Sequence, residues 1–223
     1  MFAPLLSESI VGRAVESGLL EVNLVQIRSF ATDKHRTVDD SPYGGGAGMV
    51  MRCEPLYAAW KFAKDRDPSP SKTILFRPQG KPLKQTILES CRADSVRWIL
   101  VCGRYEGIDE RFVELCVDEE ISLGDFVLTG GEVPAMAFVD GLARLLPGVV
   151  GNPDSIVGES FSQSQEGGLE YPQYTRPPEF LGRKVPEVLL HGDHAKIADW
   201  RRSQSQRITN DRRPDLVSKR QGT

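Results

Sequence analysis

The sequence lacks the features that mark membrane and secreted proteins. No apolar run approaches the roughly 18–20 residues that a membrane-spanning helix requires. The N-terminus, residues 1–4, lacks the basic region and the apolar core of a secretory signal peptide. The four cysteines include no C-x-x-C pair. We therefore expect a cytoplasmic protein with no membrane association, whose cysteines are reduced structural thiols.

Two glycine-punctuated loops follow apolar strands, at residues 103–107 and 124–134. Neither reads G-x-G-x-x-G or G-x-x-x-x-G-K-[ST], so neither standard phosphate cradle is present in them. Glycine at a strand end permits positive φ and the close approach of a flat ligand. Because ligands of open α/β sheets bind outside the carboxyl ends of the strands, this pair predicts a site for a small nucleoside-like cofactor held by backbone groups.

The apolar periodicity predicts alternating strands and helices, which is typical of an α/β domain with a largely parallel sheet. Strands are expected at residues 22–27, 73–76, 98–102 and 117–121, and helices at 5–17, 54–65, 83–92, 108–115 and 132–146. The interpretation has three parts: a cofactor-binding domain over 1–149, a flexible linker over 150–170 that is mobile in the unliganded protein, and a helical domain over 171–223.

The net charge of −3 is unevenly distributed. Residues 196–220 carry eight Lys and Arg against three Asp, a net charge of +5, which leaves −8 on the rest. A basic terminal segment on an acidic body favours an anionic macromolecule as partner, although a solvated helix surface explains the charge equally well.

Two short polar segments are open to competing interpretations. The loop 39–48, flanked by His35 and Arg36, suits a lid that orders around substrate, whereas its twin aspartates suggest a metal site but lack a matching carboxylate cluster. His191 and His194 suggest a metal site, but Asp193 lies between them as the predicted N-cap of a helix, so capping is the better explanation. We expect no metal at either place.

Taken together, several strings resemble the bacterial tRNA (guanine-N1)-methyltransferases, the TrmD type of the SPOUT class. In chain order they are Gly12-Arg13-Ala14, His35-Arg36-Thr37-Val38-Asp39-Asp40-Ser41-Pro42-Tyr43-Gly44-Gly45-Gly46, Pro78-Gln79-Gly80, the two glycine loops, Pro147-Gly148-Val149 and Tyr174-Thr175-Arg176-Pro177. They run in family order across nearly the whole chain.

The resemblance implies a trefoil-knotted α/β domain, an exception to the rule against threaded chains, and a homodimer whose active sites combine both protomers. It also implies methyl transfer from S-adenosylmethionine to N1 of the guanosine 3′ of the tRNA anticodon (position 37), with the helical domain over 171–223 binding the tRNA. The residues it assigns to the cofactor are Leu75, Phe76, Pro78, Gly80, Gly103, Tyr105, Glu106, Leu123, Gly124, Phe126, Leu128, Gly130 and Pro134. Those it assigns to the substrate are His35, Asp39, Asp40, Tyr43, Gly44 and Gly45.

The same resemblance assigns two catalytic residues, and it shows two positions at which this sequence differs from the usual residue of the family. Arg144 takes the place of a guanidinium that stabilises charge developing at guanine O6. Glu159, before Ser160 and Phe161, replaces the family's usual aspartate, and we expect it to act as the general base. Arg77 stands where the family often has serine, and its side chain either points outward or contacts the methionyl carboxylate.

Family members usually begin with an apolar strand before the segment that matches Met1 and Phe2, and many carry a final helix beyond the position of Thr223. Either the sequence starts at an internal Met, or the sheet lacks that strand, and we expect a lower stability than that of a chain extended upstream. Two other functions remain open: a ribose 2′-O-methyltransferase of the same fold class, and a non-catalytic RNA-binding module that retains the fold.

Overall fold

The structure is a computed structural model and describes residues 1–94, 96–151 and 158–218. The chain divides into two compact units, Met1–Val150 and Gly151–Thr223. No helix in the described part of the chain is long and apolar enough to cross a lipid bilayer.

The first unit alternates helices with strands along most of its length. Its helices are α1 (Ala3–Ser7), α2 (Ser9–Glu16), α3 (Cys53–Asp65), α4 (Gln85–Ala93), α5 (Glu110–Cys116) and α6 (Glu132–Ala143). Its strands are β1 (Asp39–Asp40), β2 (Val50–Met51), β3 (Ser71–Pro82), β4 (Arg97–Val101) and β5 (Glu119–Ser122). A short 3₁₀ helix covers Ile27–Phe30.

The sheet that organises this unit has three strands in the order β4-β3-β5, and all of them are parallel. Leu75 pairs with Val101 on one side, and Phe76 pairs with Ile121 on the other. The parallel sheet and its helices confirm the α/β prediction. Because the strands are parallel, the loops that follow β4 and β5 leave the sheet at the same edge.

The core lies on both faces of the sheet, because successive side chains of β3 point to opposite faces. Leu75 packs with Leu56 of α3 and Phe112 of α5. Ile74 and Phe76 pack on the other face, in a cluster that also contains Leu88 of α4, Phe138 of α6 and Ile121 of β5. These buried side chains fix the strands whose ends carry the two glycine loops.

Two sequence predictions for this unit need correction. The helix expected over 5–17 is two helices, α1 and α2, which meet at the extended residue Glu8. The strand expected over 22–27 is wrong: that segment is irregular and then forms the 3₁₀ helix. Its alternating side chains suit a strand, but no described strand pairs with it, and Leu24 is 60% exposed.

The second unit combines one long helix with short turns and a hairpin where it is described. It contains a hairpin of β6 (Glu179–Phe180) and β7 (Arg183–Lys184), 3₁₀ turns at Gln163–Gln165 and Glu187–Leu189, and helices α7 (His194–Arg212) and α8 (Pro214–Ser218). The Asp193 side chain accepts a hydrogen bond from the Lys196 amide at 3.2 Å, which confirms the predicted cap.

The segment predicted as a linker, 150–170, is described only in part. Residues 152–157 lie outside the described residues. Residues 158–170 form hydrogen-bonded turns, with the Phe161 amide donating to the Gly168 carbonyl at 2.6 Å and the Gly167 amide to the Ser162 carbonyl at 3.0 Å. The predicted mobility of this segment stays a prediction.

Candidate active site

The two glycine loops meet at the carboxyl edge of the sheet. Arg104 and Gly130 form an isolated antiparallel bridge, and the Gly131 amide donates a hydrogen bond to the Gly103 carbonyl at 2.8 Å. The Arg104 guanidinium Nε lies 2.7 Å from Glu132 Oε1, which adds an ion pair between the loops. The structure therefore brings together the two segments that the sequence singled out.

The contact between the loops depends on a glycine that sequence reasoning did not select. A Cβ on Gly131 would lie 2.8 Å from Cys102 Cα and 3.0 Å from the Gly103 nitrogen. Since real Cβ atoms do not approach backbone so closely, any side chain at residue 131 pushes the loops apart. The sequence signal was the Gly130-Gly131 pair itself, whose second member carries the packing.

A third part of this edge is a bulge inside β3. Phe76 and Lys81 both pair with Ile121, so residues 77–80 loop out between them. A Cβ on Gly80 would lie 2.6 Å from the Glu120 carbonyl carbon, and it would also overlap the backbone of Ile121. Gly80 thus lets the bulge run directly over β5, and it leaves the predicted cofactor residue Pro78 exposed at the sheet edge.

Arg77 in this bulge is held by carboxylates of the protein. Its Nη1 and Nη2 donate to Glu110 at 2.8 and 3.1 Å, and its Nε forms a hydrogen bond with Glu120. Hydrogen bonds to Glu110 and Glu120 raise the pKa of the guanidinium above its ordinary value. Of the two placements left open for this side chain, the one away from the methionyl carboxylate agrees with these ion pairs.

A fourth segment, the end of the loop 39–48, is anchored to the first glycine loop. The Glu106 amide donates to the Met49 carbonyl at 3.0 Å, and the Met51 amide donates to the Gly107 carbonyl at 2.9 Å. A Cβ on Gly48 would lie 2.8 Å from the Glu106 carboxyl carbon. Met49 and Met51 were missed by sequence reasoning, because a backbone ladder this short leaves no periodic pattern.

The predicted substrate residues lie on this anchored loop. Asp39 and Asp40 form β1, which pairs with β2 at Met51 and Val50. The stem of the loop is therefore closed by a two-residue ladder, while Tyr43 near its tip is fully exposed. The other predicted members also lie on exposed backbone: His35, Gly44 and Gly45. An anchored stem with an exposed tip suits a segment that closes on a ligand.

The predicted cofactor residues differ in how far their side chains are exposed to solvent. Tyr105, Phe126 and Leu128 are exposed apolar side chains on the two loops, and Phe126 is 54% exposed. Leu75 and Phe76 have side chains buried in the core, so the surface they can offer a ligand is backbone. The remaining loop members are Glu106, which is exposed, Pro134, which is buried, and Gly103, Leu123, Gly124 and Gly130, which are partly buried.

Among the described residues, this edge of the sheet offers neither a reactive thiolate nor a cluster of metal ligands. Burial raises the pKa of the Cys102 thiol to about 12, so this thiol stays protonated at neutral pH. Within the described residues, no group of three or more His, Cys, Asp or Glu could hold a metal ion. The two loops present backbone amides, backbone carbonyls, exposed apolar side chains and the exposed Glu106 side chain at this edge.

The two predicted catalytic residues lie in different units. Arg144 follows α6 in the first unit, where its amide donates to the Asp140 carbonyl at 3.2 Å. Glu159 lies in the second unit, and its carbonyl accepts hydrogen bonds from the Ser162 amide at 3.2 Å and the Ser162 hydroxyl at 2.6 Å.

The segment that carries Glu159 is fastened to α7 by two buried polar side chains. Thr209 accepts a hydrogen bond from the Leu169 amide at 2.9 Å, and Ser205 donates to the Leu169 carbonyl at 2.5 Å. At the other end of the segment, the Gln165 side chain donates to the Gly158 carbonyl at 3.2 Å. Sequence reasoning missed this network, because Ser and Thr within a polar helix give no sign of being buried.

Comparisons with known proteins identify one matching family and several similar proteins. The family described as tRNA (Guanine-1)-methyltransferase TrmD matches residues 1–219. A tRNA (guanine-N(1)-)-methyltransferase of Geobacter sp. (strain M21) is 54% identical over 218 residues, which cover 97% of this chain and 85% of the relative. Its counterpart in Anaeromyxobacter sp. (strain K) is 55% identical over 98% of this chain and 87% of the relative. The enzyme of the same name from Gloeobacter violaceus is 54% identical over 94% of this chain and 90% of the relative.

Proposed function

The chain belongs to the TrmD family of tRNA (guanine-1)-methyltransferases, and we propose that it moves a methyl group from S-adenosylmethionine to N1 of the guanosine 3′ of the tRNA anticodon. One observation supports this assignment of the site most strongly. The two glycine loops meet at the carboxyl edge of a parallel sheet, where the Gly131 amide donates a hydrogen bond to the Gly103 carbonyl.

The residues at this edge fit S-adenosylmethionine. An adenosyl ligand needs backbone donors and acceptors for the edge of its base and apolar faces for its rings. The loops offer both, since Phe126 and Leu128 are exposed beside glycine-rich backbone. Neither a phosphate cradle nor a nucleophilic thiolate is required for such a ligand. The same residues leave Glu106 accessible beside the first loop.

The protein has two tasks in the transfer: it positions the reactants, and it removes one proton. When bound, S-adenosylmethionine supplies a methyl group on a sulfonium centre that needs no further activation. Guanine N1 becomes a good nucleophile once its proton leaves, and the Glu159 carboxylate accepts that proton. The Arg144 guanidinium faces O6 and stabilises the negative charge that develops on the base.

The active form is a homodimer in which each site draws on both protomers. Exposed apolar side chains beside the cofactor loops support this, since Val127 is 86% exposed and Phe126 lies next to it. Leu115 on α5 is also largely exposed. Apolar groups in such positions are typical of a surface that a second copy covers.

The cofactor domain carries a trefoil knot, and the second unit holds the tRNA. The match to the TrmD family supports the knot. The net charge of +5 over residues 196–220 supports tRNA binding by the second unit. The reaction takes place in the cytoplasm.

The test is methyl transfer from labelled S-adenosylmethionine to two tRNA transcripts that differ only in carrying G or A after the anticodon. Label in the G transcript alone is the expected result. Tight binding of both transcripts with label in neither would instead support the non-catalytic RNA-binding module and overturn the enzymatic assignment.

A further inference from the structure

The second unit contains a cavity of about 330 Å³ that the methyl-transfer reaction does not use. Its walls come from residues 171–178, from the turn near Leu189 and from the first turns of α7. This volume lies at the lower end of the roughly 300–1,000 Å³ of ligand sites in proteins. It suits one mononucleotide-sized group and is too small for a helical element.

Three aromatic residues, Tyr171, Tyr174 and Trp200, line this cavity beside prolines and aliphatic side chains. The rings of Tyr174 and Trp200 lie 6.3 Å apart at an interplanar angle of 56°. The Arg201 guanidinium lies 4.7 Å from the centre of the Tyr171 ring. Tyr174 is 49% exposed, so a large part of its side chain remains accessible to a ligand. A planar, electron-rich group would meet aromatic faces here and a cation at their side.

The cavity is positively charged. Arg176 and Arg201 both line it, whereas the described residues that line it include no Asp or Glu. Gln173 and Thr175 add a carboxamide and a hydroxyl to the wall. The charge favours an anionic ligand, and the polar groups can hydrogen-bond the edge of a base.

We propose that this cavity binds one unpaired nucleotide of the tRNA, other than the guanosine that is methylated. The base stacks on the Tyr174 ring, and its phosphate pairs with Arg176 or Arg201. Stacking accounts for the half-exposed tyrosine, and the phosphate accounts for two arginines in a wall whose described residues include no carboxylate. A nucleotide within a duplex cannot enter, since its base is stacked between neighbours. The proposal rests on the proposed function for the identity of the RNA.

The test compares variants of the full chain in binding a tRNA transcript. Tyr174→Ala removes a stacking face, and we expect its Kd for tRNA to rise roughly 10-fold, the loss of one stacked base. Tyr174→Phe keeps the ring and is expected to bind within about twofold of wild type. Phe180→Ala is the matched control, because Phe180 is an aromatic residue of the same unit that is 66% exposed and lies outside the cavity wall.

Three further measurements separate binding from folding and from chemistry. The Tyr174→Ala protein is expected to keep its melting temperature and its affinity for S-adenosylmethionine, and to raise the KM for tRNA while leaving kcat unchanged. A Tyr174→Ala protein that melts like wild type and binds tRNA equally tightly overturns the proposal, as does an equal loss in Phe180→Ala. If Tyr174→Ala melts early, Arg201→Gln must show the loss instead. Methylation of the G transcript by wild type tests the proposed function separately, since binding is measured without turnover.

Discussion

Glu159 is the side chain on which the proposed proton transfer depends. It occupies the place of a shorter aspartate, and its backbone carbonyl is fixed by two hydrogen bonds from Ser162. A fixed backbone leaves the longer side chain to bring its carboxylate to guanine N1. The extra methylene moves that carboxylate by about one bond length, which side-chain rotamers can absorb.

Replacement of Glu159 with Gln is expected to lower kcat by about 100-fold or more, because general-base catalysis contributes that much and the amide accepts no proton. The affinity for S-adenosylmethionine should stay unchanged. Single-turnover rates with saturating tRNA and cofactor measure the effect. Glu159→Asp is the control, since it keeps the carboxylate and restores the usual residue of the family. A Gln variant that turns over like wild type would show that the base lies elsewhere.

Gly131 tests the packing of the two loops. An alanine Cβ there would lie 2.8 Å from Cys102 Cα, so Gly131→Ala should force the loops apart and destabilise the protein by about 1–3 kcal/mol. Binding of S-adenosylmethionine should weaken with it, as calorimetric titration would measure.

Gly151→Ala is the matched control, because a Cβ at Gly151 meets nothing within 4 Å. Its affinity for the cofactor and its melting temperature should equal those of wild type. Undiminished cofactor binding by the Gly131 variant would contradict the loop arrangement.

The residue scale also shows where sequence reasoning stops. Glycine-rich loops after apolar strands are visible in a sequence, and the structure brings those two loops together. The role of Gly131 is not visible, because it depends on a backbone atom of Cys102 that approaches from a distant part of the chain. The placement of Arg77 likewise depends on Glu110 and Glu120, two carboxylates more than thirty residues away.

Among the elements, α5 follows the first glycine loop, and its start is fixed at Asp109. The Asp109 side chain accepts a hydrogen bond from the Arg111 amide at 3.0 Å and two more from its guanidinium. These bonds to Arg111 hold the pKa of the Asp109 carboxyl well below its usual range. The Asp109 amide also donates to the Met51 carbonyl at 3.0 Å, which joins the helix start to β2.

We expect Asp109→Ala to lower the free energy of unfolding by about 1 kcal/mol at neutral pH, because it removes a helix cap. Since the folded pKa of Asp109 is lowered, its contribution is complete above the ordinary carboxyl pKa near 4 and is lost as pH falls through the folded pKa. Urea unfolding of wild type and variant over that range should therefore give a difference that shrinks toward acid.

Asp109→Asn is the control for this helix cap, because its amide oxygen still accepts a bond from the helix amide but carries no charge. It should retain most of the capping stability at every pH. A difference between wild type and Asp109→Ala that stays constant into strong acid would contradict the lowered pKa.

At the element scale, sequence periodicity predicted the helices better than the edge of the sheet. The helix expected at 54–65 is α3, Cys53–Asp65, and the strand expected at 98–102 is β4, Arg97–Val101. The strand expected at 73–76 belongs to β3, Ser71–Pro82, whose second half depends on the bulge against β5. Residues 22–27 show the opposite failure, since strand-like side chains do not make a strand without a partner.

For the molecule as a whole, the division after Val150 matters most for function. The two glycine loops and Arg144 belong to one unit, and Glu159 and the cavity lined by Tyr174 and Trp200 belong to the other. Hydrogen bonds from Leu169 to Thr209 and from Ser205 to Leu169 hold the segment that carries Glu159 against α7. The proposed base therefore shares a unit with the proposed tRNA-binding surface, and proton removal is expected only when tRNA is held.

The most direct test of the account is the identity of the methylated nucleoside. The purified protein is incubated with S-adenosylmethionine and the G transcript, and the tRNA is digested to nucleosides for mass spectrometry against standards. We expect 1-methylguanosine, in stoichiometric yield when tRNA is limiting. Appearance of 2′-O-methylguanosine would instead assign the chain to ribose methylation, and it would contradict the roles given to Glu159 and Arg144.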